Sequence, residues 1–163
     1  FPSGAVEEVT SAVLGSNHQL LDIEFCDGKF YVLQPQGITI AIPGFGSQYY
    51  AFLDELDQDN CSMSLAGGNV YLYCDNYIAE IDFEEQTARL NRKRVIPEPG
   101  IGSSLFVVDG RLIVEWLYAS TSGVGVCLMD FDSGLSFDFG DTYSSFIQIG
   151  DAIYGLHPYQ LLR

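Results

Sequence analysis

An all-β fold assembled from about four copies of one sheet-forming unit is what this sequence predicts. Three observations carry that expectation. Four pairs of apolar, β-branched and aromatic segments are each joined by a two-residue turn containing glycine. The turn glycines Gly28, Gly68, Gly110 and Gly150 stand 40, 42 and 40 positions apart, and four such hairpins at near-constant spacing are hard to obtain by chance. Composition agrees: 163 residues suit one domain, 17 glycines and 13% aromatic residues suit many turns between strands, and 18% charged residues is too few for a disordered chain.

Taken in order, the first unit reads Leu21–Cys26, turn Asp27-Gly28, then Lys29–Leu33. The second reads Ser62–Ala66, turn Gly67-Gly68, then Asn69–Tyr73. The third reads Ser104–Val108, turn Asp109-Gly110, then Arg111–Glu115. The fourth reads Ser145–Ile149, turn Gly150-Asp151, then Ala152–Leu156. Asp-Gly, Gly-Gly and Gly-Asp suit two-residue hairpins because the mirror-image turns that match strand twist need positive φ. A third strand follows each hairpin, at Ile38–Ile42, Tyr77–Ile81, Val124–Met129 and Tyr159–Leu162. Fourth strands are expected at Thr87–Val95 and Leu135–Phe139. In the first unit that place holds Gln48–Leu56, where Tyr49, Phe52, Leu53 and Leu56 also fit a short helix. The last unit stops after its third strand, and Ala5–Leu14 is the candidate for its missing fourth. Residues 1–163 are thus one β-repeat domain, with units near 18–60, 61–102, 103–144 and 145–163, the last joined by 5–14.

A period of roughly 40 residues is that of propeller blades. It predicts a β-propeller-like array of about four blades, either a closed four-bladed ring or a segment of a larger propeller. A three-fold trefoil of this length would need a period of about 54 residues, which the glycine spacing opposes. The segments from Asp22 to Leu33 and from Gly68 to Asp82, in which an Asp/Gly turn leads to an aromatic-rich strand and then to a strand ending in an apolar-Asp pair, resemble blades of kelch-like and F-box-associated propellers. The resemblance spans residues 20–160. It implies propeller architecture and a role in protein binding. The paired glycines with downstream Tyr and Trp of kelch repeats are absent.

With 22 acidic and 7 basic residues, the net charge is -15. Such a field repels phosphate backbones, so nucleic acid is not an expected partner. No apolar run reaches the ~18 residues of a membrane-spanning helix. Phe1 in place of Met reads as a processed or trimmed chain, which slightly favours secretion. Four cysteines, Cys26, Cys61, Cys74 and Cys127, allow two disulfides in three pairings. Their placement in apolar runs favours buried thiols at Cys26, Cys74 and Cys127. A sequon stands at Asn60-Cys61-Ser62.

Little in the sequence points to catalysis. His18 and His157 are the two histidines, and neither has a nucleophile motif beside it. The run Asp54–Asn60 begins like a calcium loop but lacks the sixth-position Gly and twelfth-position Glu, and reads as a solvated loop. No metal or cofactor is expected. Arg89, Arg92, Lys93 and Arg94 hold four of the seven basic residues within six positions. They read as an outer strand whose charges deter edge pairing, as a partner-docking site, or as a dibasic processing site. Aromatics recur in the second strand of each unit: Phe30 and Tyr31, Tyr71 and Tyr73, Trp116 and Tyr118, Tyr154. They suit packing between blades. Alternatively, Tyr71, Tyr73, Trp116 and Tyr118, beside a loop at Ala119–Gly125, form a platform for a sugar or peptide. The expected function is a non-catalytic binding module that engages a protein partner through a propeller face or its loops. The alternatives are a secreted carbohydrate-binding protein and, last, a carboxylate-based hydrolase.

Overall fold

The computed structural model describes residues 19–54, 56, 61–74, 76–96, 100–120, 123–140, 145–157 and 160–162, and these form fifteen β-strands with no helix among them. The strands fall into four successive antiparallel meanders. The first holds β1 (Asp22–Cys26), β2 (Lys29–Gln34), β3 (Gly37–Ile42) and β4 (Gly46–Phe52). The second holds β5 (Ser62–Ala66), β6 (Asn69–Cys74), β7 (Tyr77–Glu84) and β8 (Thr87–Val95). The third holds β9 (Gly100–Val108), β10 (Arg111–Ser120), β11 (Gly123–Asp130) and β12 (Ser136–Asp138). The fourth holds β13 (Ser145–Ile149), β14 (Ala152–His157) and β15 (Gln160–Leu162). The candidate fourth strand Ala5–Leu14 lies outside the described residues.

All four hairpins form where the turn chemistry placed them. Both residues of Asp27-Gly28, Gly67-Gly68 and Asp109-Gly110 have positive φ, and Gly150 has it in the fourth. This is the backbone that two-residue hairpins demand and that a residue without Cβ adopts at no steric cost. The helix considered at Gln48–Leu56 does not form. β4 pairs with β3 from Ile42↔Gly46 to Gly37↔Ala51, so ladder hydrogen bonds override a periodicity that fitted either state. The loop expected at Ala119–Gly125 is also shorter. β10 runs to Ser120 and β11 starts at Gly123, with Ala119 opposite Val124 and Ser120 opposite Gly123.

The first two meanders join into one eight-stranded sheet in the order β1-β2-β3-β4-β8-β7-β6-β5. The join is a short parallel pairing, Ala51↔Thr87 and Phe52↔Ala88. Its two outermost strands approach each other again where Met63 N donates to Asp22 Oδ2 at 2.7 Å, so the sheet nearly closes on itself. The leading strands of successive meanders meet like end to like end. Asp22 and Met63 lie near the starts of β1 and β5, a Cβ on Gly67 past the end of β5 would stand 3.9 Å from Val107 Cγ2, and the Gln148 side chain bonds both Val107 N and Val107 O. The four hairpin turns therefore emerge at one end of the array.

Three cores occupy the three seams. Leu33 and Ile38 of the first meander meet Met63, Val70, Leu72, Cys74, Tyr77 and Ile81 of the second. Tyr71, Tyr73 and Ile78 meet Leu112, Val114, Trp116, Met129 and Phe131 of the third. Phe106 and Val126 meet Phe146 of the fourth, with Val108, Ile113 and Leu117 packed alongside. β6 supplies two seams by simple alternation, since Val70, Leu72 and Cys74 point one way and Tyr71 and Tyr73 the other. A strand buried on both faces loses the apolar/polar alternation of a half-exposed one, which is why β6 reads as a continuous apolar run.

The cysteines depart in part from the sequence expectation. Cys74 is disulfide-bonded to Cys61, while Cys26 and Cys127 are not in a disulfide. Cys61 and Cys74 come opposite each other one step beyond the pair Ser62↔Tyr73, with Cα atoms 4.4 Å apart, the separation of a non-hydrogen-bonded cross-strand pair. Cys127 is buried as expected, and Cys26 is half-buried.

Candidate functional site

The basic cluster sits on β8, the outer strand of the second meander, and the structure uses most of it internally. A β-bulge between Ile78 and Glu80 sets two residues of β8, Arg92 and Lys93, opposite the single residue Ala79 of β7. Arg92 takes a left-handed backbone, φ 42°, unusual for a residue with a Cβ. The bulge turns its side chain along the seam. Its guanidinium pairs with Glu80, donates to Asp132 Oδ1 at 2.7 Å and lies 5.2 Å from the centre of the Phe131 ring. Arg94 Nε donates to Phe131 O at 2.9 Å, and its Nη2 donates to Asp132 O. Two arginines of the second meander thus grip one turn of the third. The Glu80 carboxylate beside Arg92 raises the affinity of the guanidinium for its proton. Lys93 Nζ stands 3.7 Å above the Tyr77 ring, and Arg89 is exposed opposite Asp82.

The gripped turn is itself organised by a carboxylate. Asp130 Oδ1 accepts hydrogen bonds from Ser133 N at 2.7 Å and Ser133 Oγ at 2.9 Å, and Arg111 pairs with Asp130 Oδ2. The bond from Ser133 N is the main reason the Asp130 carboxyl stays below its ordinary pKa. The other buried acids are engaged as well. Glu80 holds Arg92, and Glu115, fully buried on β10, accepts from Phe146 N at 2.9 Å across the seam to the fourth meander. Asp54 Oδ2, at the head of the acidic run, accepts from Leu90 N at 3.0 Å. Glu55 and Asp57–Asn60, with the first residue of the sequon, lie outside the described residues, as does His18. Among the described residues no group of three or more His, Cys, Asp or Glu is placed to hold a metal ion.

The aromatic quartet divides. Trp116 is 1% exposed, and Tyr71 and Tyr73 are buried with it in the second seam. Tyr71 meets Phe131 edge-on at 5.5 Å. The Tyr73 hydroxyl donates to Ser104 O at 3.0 Å, and burial raises its pKa well above the usual tyrosine value. These three rings are packing between sheets and offer no open platform in this structure. Trp116 Nε1 has no hydrogen-bond partner among the described residues. Tyr118 differs: it is half-buried, its hydroxyl donates to Asp138 Oδ1 at 2.6 Å, and that bond holds the Asp138 carboxyl below its ordinary range. A Cβ on Gly125 would fall 2.3 Å from the Tyr118 ring, so glycine there is what lets the ring lie across the strand.

Open apolar surface lies elsewhere. The turn between β3 and β4, Pro43-Gly44-Phe45, stands at the same end as Asp27-Gly28, and Phe45 is 90% exposed. Ile42 is exposed at the foot of that turn, and Phe25, on the opposite face of the sheet, is exposed with its ring tilted against Phe30 at 4.7 Å between centres. Neither charge nor composition singled out this group. The one available signal was a lone Phe between two glycines in a turn.

No protein-family model matches the chain, and no curated protein matches it. Among solved structures the chain is similar to one described as S. cerevisiae Dbp5 bound to Nup159, Gle1, IP6 and ADP, at 12% identity and a TM-score of 0.47. The match covers 90% of this chain and 42% of the other.

Proposed function

We propose that the four meanders are blades of a propeller-like array and that the array is a non-catalytic module that binds a protein partner. Three features support the blade reading: the regular four-strand unit, the alignment of the leading strands, and apolar seams between successive sheets. The observation that carries the binding reading is Phe45, 90% exposed in the β3–β4 turn, with Ile42 exposed at the foot of that turn. An exposed aromatic side chain at a loop end is what the core of an interface is built around. The turn around Phe45 takes no part in the seams described above, so substitution there leaves the fold intact. Arg89 and Lys93, the two members of the basic cluster that do not bond the turn at Phe131 and Asp132, would sit at the rim of a second contact. A Cys61–Cys74 bond suits a chain that folds in an oxidising compartment.

Peptide-display selection against the folded protein tests this reading. Ligands selected by the parent chain should lose at least tenfold affinity for Phe45→Asp while circular dichroism stays unchanged. Ligands indifferent to Phe45→Asp would overturn it. The carbohydrate-binding alternative rests on Tyr118 and Asp138 beside the β10–β11 connection. A glycan array on which no sugar is retained discards it.

A further inference from the structure

The outer strands of the first three meanders are finished differently. β4 uses part of its edge to pair with β8, at Ala51↔Thr87 and Phe52↔Ala88. The rest of β8 is guarded: it carries Arg89, Arg92, Lys93 and a bulge, and Asp54 Oδ2 takes up Leu90 N. Charges and bulges keep a sheet edge from pairing with other chains. β12 is the outermost strand of the third sheet, and its one charged residue, Asp138, is tied back by the Tyr118 hydroxyl and Gly140 N at 2.6 and 2.7 Å. The hydrogen-bond pattern fixes which backbone groups of β12 are open. Asp130 N donates to Leu135 O, Phe139 N donates to Val126 O, and Leu128 lies opposite Phe137. Leu135, Phe137 and Phe139 therefore turn their backbone groups towards β11. In an antiparallel ladder the residues between them turn theirs away. The N–H and C=O of Ser136 and Asp138 point outward, and no hydrogen bond reaches them among the described residues. Side chains on one face of the strand are open as well. Leu135 is 62% and Phe137 64% exposed. They extend the apolar face of the third sheet past Leu128 and Phe139, which pack into the seam with Phe146.

We propose that β12 accepts an extended segment of another protein as a further strand, with apolar side chains of that segment on Leu135 and Phe137 and Lys or Arg at the alternate positions. Each property of the occupant follows from a property of the strand. Unpaired backbone groups on every second residue call for a strand rather than a helix. Alternation puts every second side chain of the added strand on the face of Phe137, where burying apolar area is favourable. The side chains between them come beside Ser136 and Asp138. The chain has a net charge of -15, and Arg92, Arg94 and Arg111, around the turn before β12, are already engaged by Asp132, Phe131 O and Asp130. Cations on the added strand therefore meet net negative charge, and an acidic segment is repelled. This contact lies on a different meander from Phe45, and it depends neither on the Phe45 contact nor on the blade reading.

A short synthetic peptide alternating Lys with Val and Phe, titrated calorimetrically into the folded chain, tests the proposal. It should bind saturably, and a peptide of the same composition with its Lys residues grouped at one end should bind at least about tenfold more weakly. N-methylation of alternate peptide residues should abolish binding in one register and spare it in the other, because one edge of an added strand faces β12 and the other faces water. Ser136→Pro removes an outward N–H without touching the ladder to β11, a position where a sheet tolerates proline. It should lower affinity at least about tenfold with the urea midpoint unchanged. Phe137→Ser should weaken binding as well, and Phe45→Asp should not. Equal binding of the grouped-Lys peptide, N-methylation that acts alike in both registers, parental affinity in Ser136→Pro, or no saturable binding at millimolar peptide would each overturn the proposal. Should Ser136→Pro unfold, the two N-methyl registers decide alone. A peptide that loses affinity for Phe45→Asp and keeps it for Ser136→Pro sits on the turn end of the first meander; strand addition then falls while the reading of Phe45 stands.

Discussion

Two neighbouring seams join the same kind of sheet by different means. Between the first and second meanders the closure is through backbone: β4 and β8 pair directly and Gln48 Nε2 donates to Glu85 O at 2.7 Å, while the Cys61–Cys74 bond, internal to the second meander, is part of the shared core. Between the second and third no strands pair among the described residues. Aromatic rings fill the interior, and Arg92 and Arg94 clasp the turn at Asp132 from outside. The bulge at Arg92 is the physical cause of the difference. It bends the lower half of β8 out of register and aims side chains, rather than backbone groups, at the next sheet. One repeat thus meets the same demand, a buried face with satisfied polar groups, once through ladder hydrogen bonds and once through charge. The charged solution should respond to salt, and the backbone solution should not.

The largest effect is expected in the aromatic seam. Trp116→Ala removes the largest fully buried side chain and should cost about 3–5 kcal/mol, read as a fall in urea midpoint. Trp116→Phe should cost clearly less, because it leaves a smaller cavity and removes an indole N–H that has no partner among the described residues. If the two variants were equally unstable, cavity formation would not be the dominant cost. The first seam is probed next by Cys61→Ala with Cys74→Ala, which opens a closed loop with a sequence separation of 13 and should cost about 2–3 kcal/mol. Amide exchange should accelerate in β5 and β6 and not in β10 or β11. Acceleration spread evenly over all the sheets would mean that the seams are not separate units.

The clasp gives a smaller and more particular effect. Arg92→Ala leaves the buried Glu80 carboxylate without its cation and should cost about 1–2 kcal/mol, since Arg92 itself is half exposed and screened. Arg92→Gly loses the same pairs yet relieves a left-handed backbone, so it should be the less unstable of the two. In 1 M NaCl the parent chain should approach the Arg92 variants, while the cost of losing the disulfide stays unchanged.

How much of this was legible beforehand follows from where each signal resides. Hairpin turns are local: Asp27-Gly28 and Asp109-Gly110 need only two residues with positive φ, and their positions held. β8 held as well, at Thr87–Val95. Register is not local. Cys61 faces Cys74 only once Ser62 is known to pair with Tyr73, so counting cysteines could not choose the pairing. The four basic residues read alike in one dimension. A bulge that no residue type announces sends Arg92 and Arg94 into the seam and leaves Arg89 outside. For the same reason Tyr71, Tyr73 and Trp116 suited both a core and a platform until the neighbouring sheet was placed over them. Phe45 was missed because a single exposed ring has no pattern.

The smallest effect separates the seams by pH. In the clasped turn, Asp130 has a carboxyl held below its unfolded pKa, chiefly by the Ser133 N–H and further by Arg111. A lowered folded pKa contributes stability that is present above the unfolded value, about 4, and is lost as pH falls through the folded value. Glu24, on the first leading strand, has the opposite sign: burial raises its folded pKa, so the penalty for its charge, present at neutral pH, is relieved as pH falls. Acidification from pH 5 to pH 3 should therefore loosen the turn at Asp130 while easing strain near β1. Amide exchange measured segment by segment should show acid-induced opening at residues 130–135 before β1–β3. Asp130→Asn should remove most of that acid dependence in the turn. Glu24→Gln should leave it in place, because Glu24 sits on the side of the molecule where backbone pairing, rather than charge, joins the sheets.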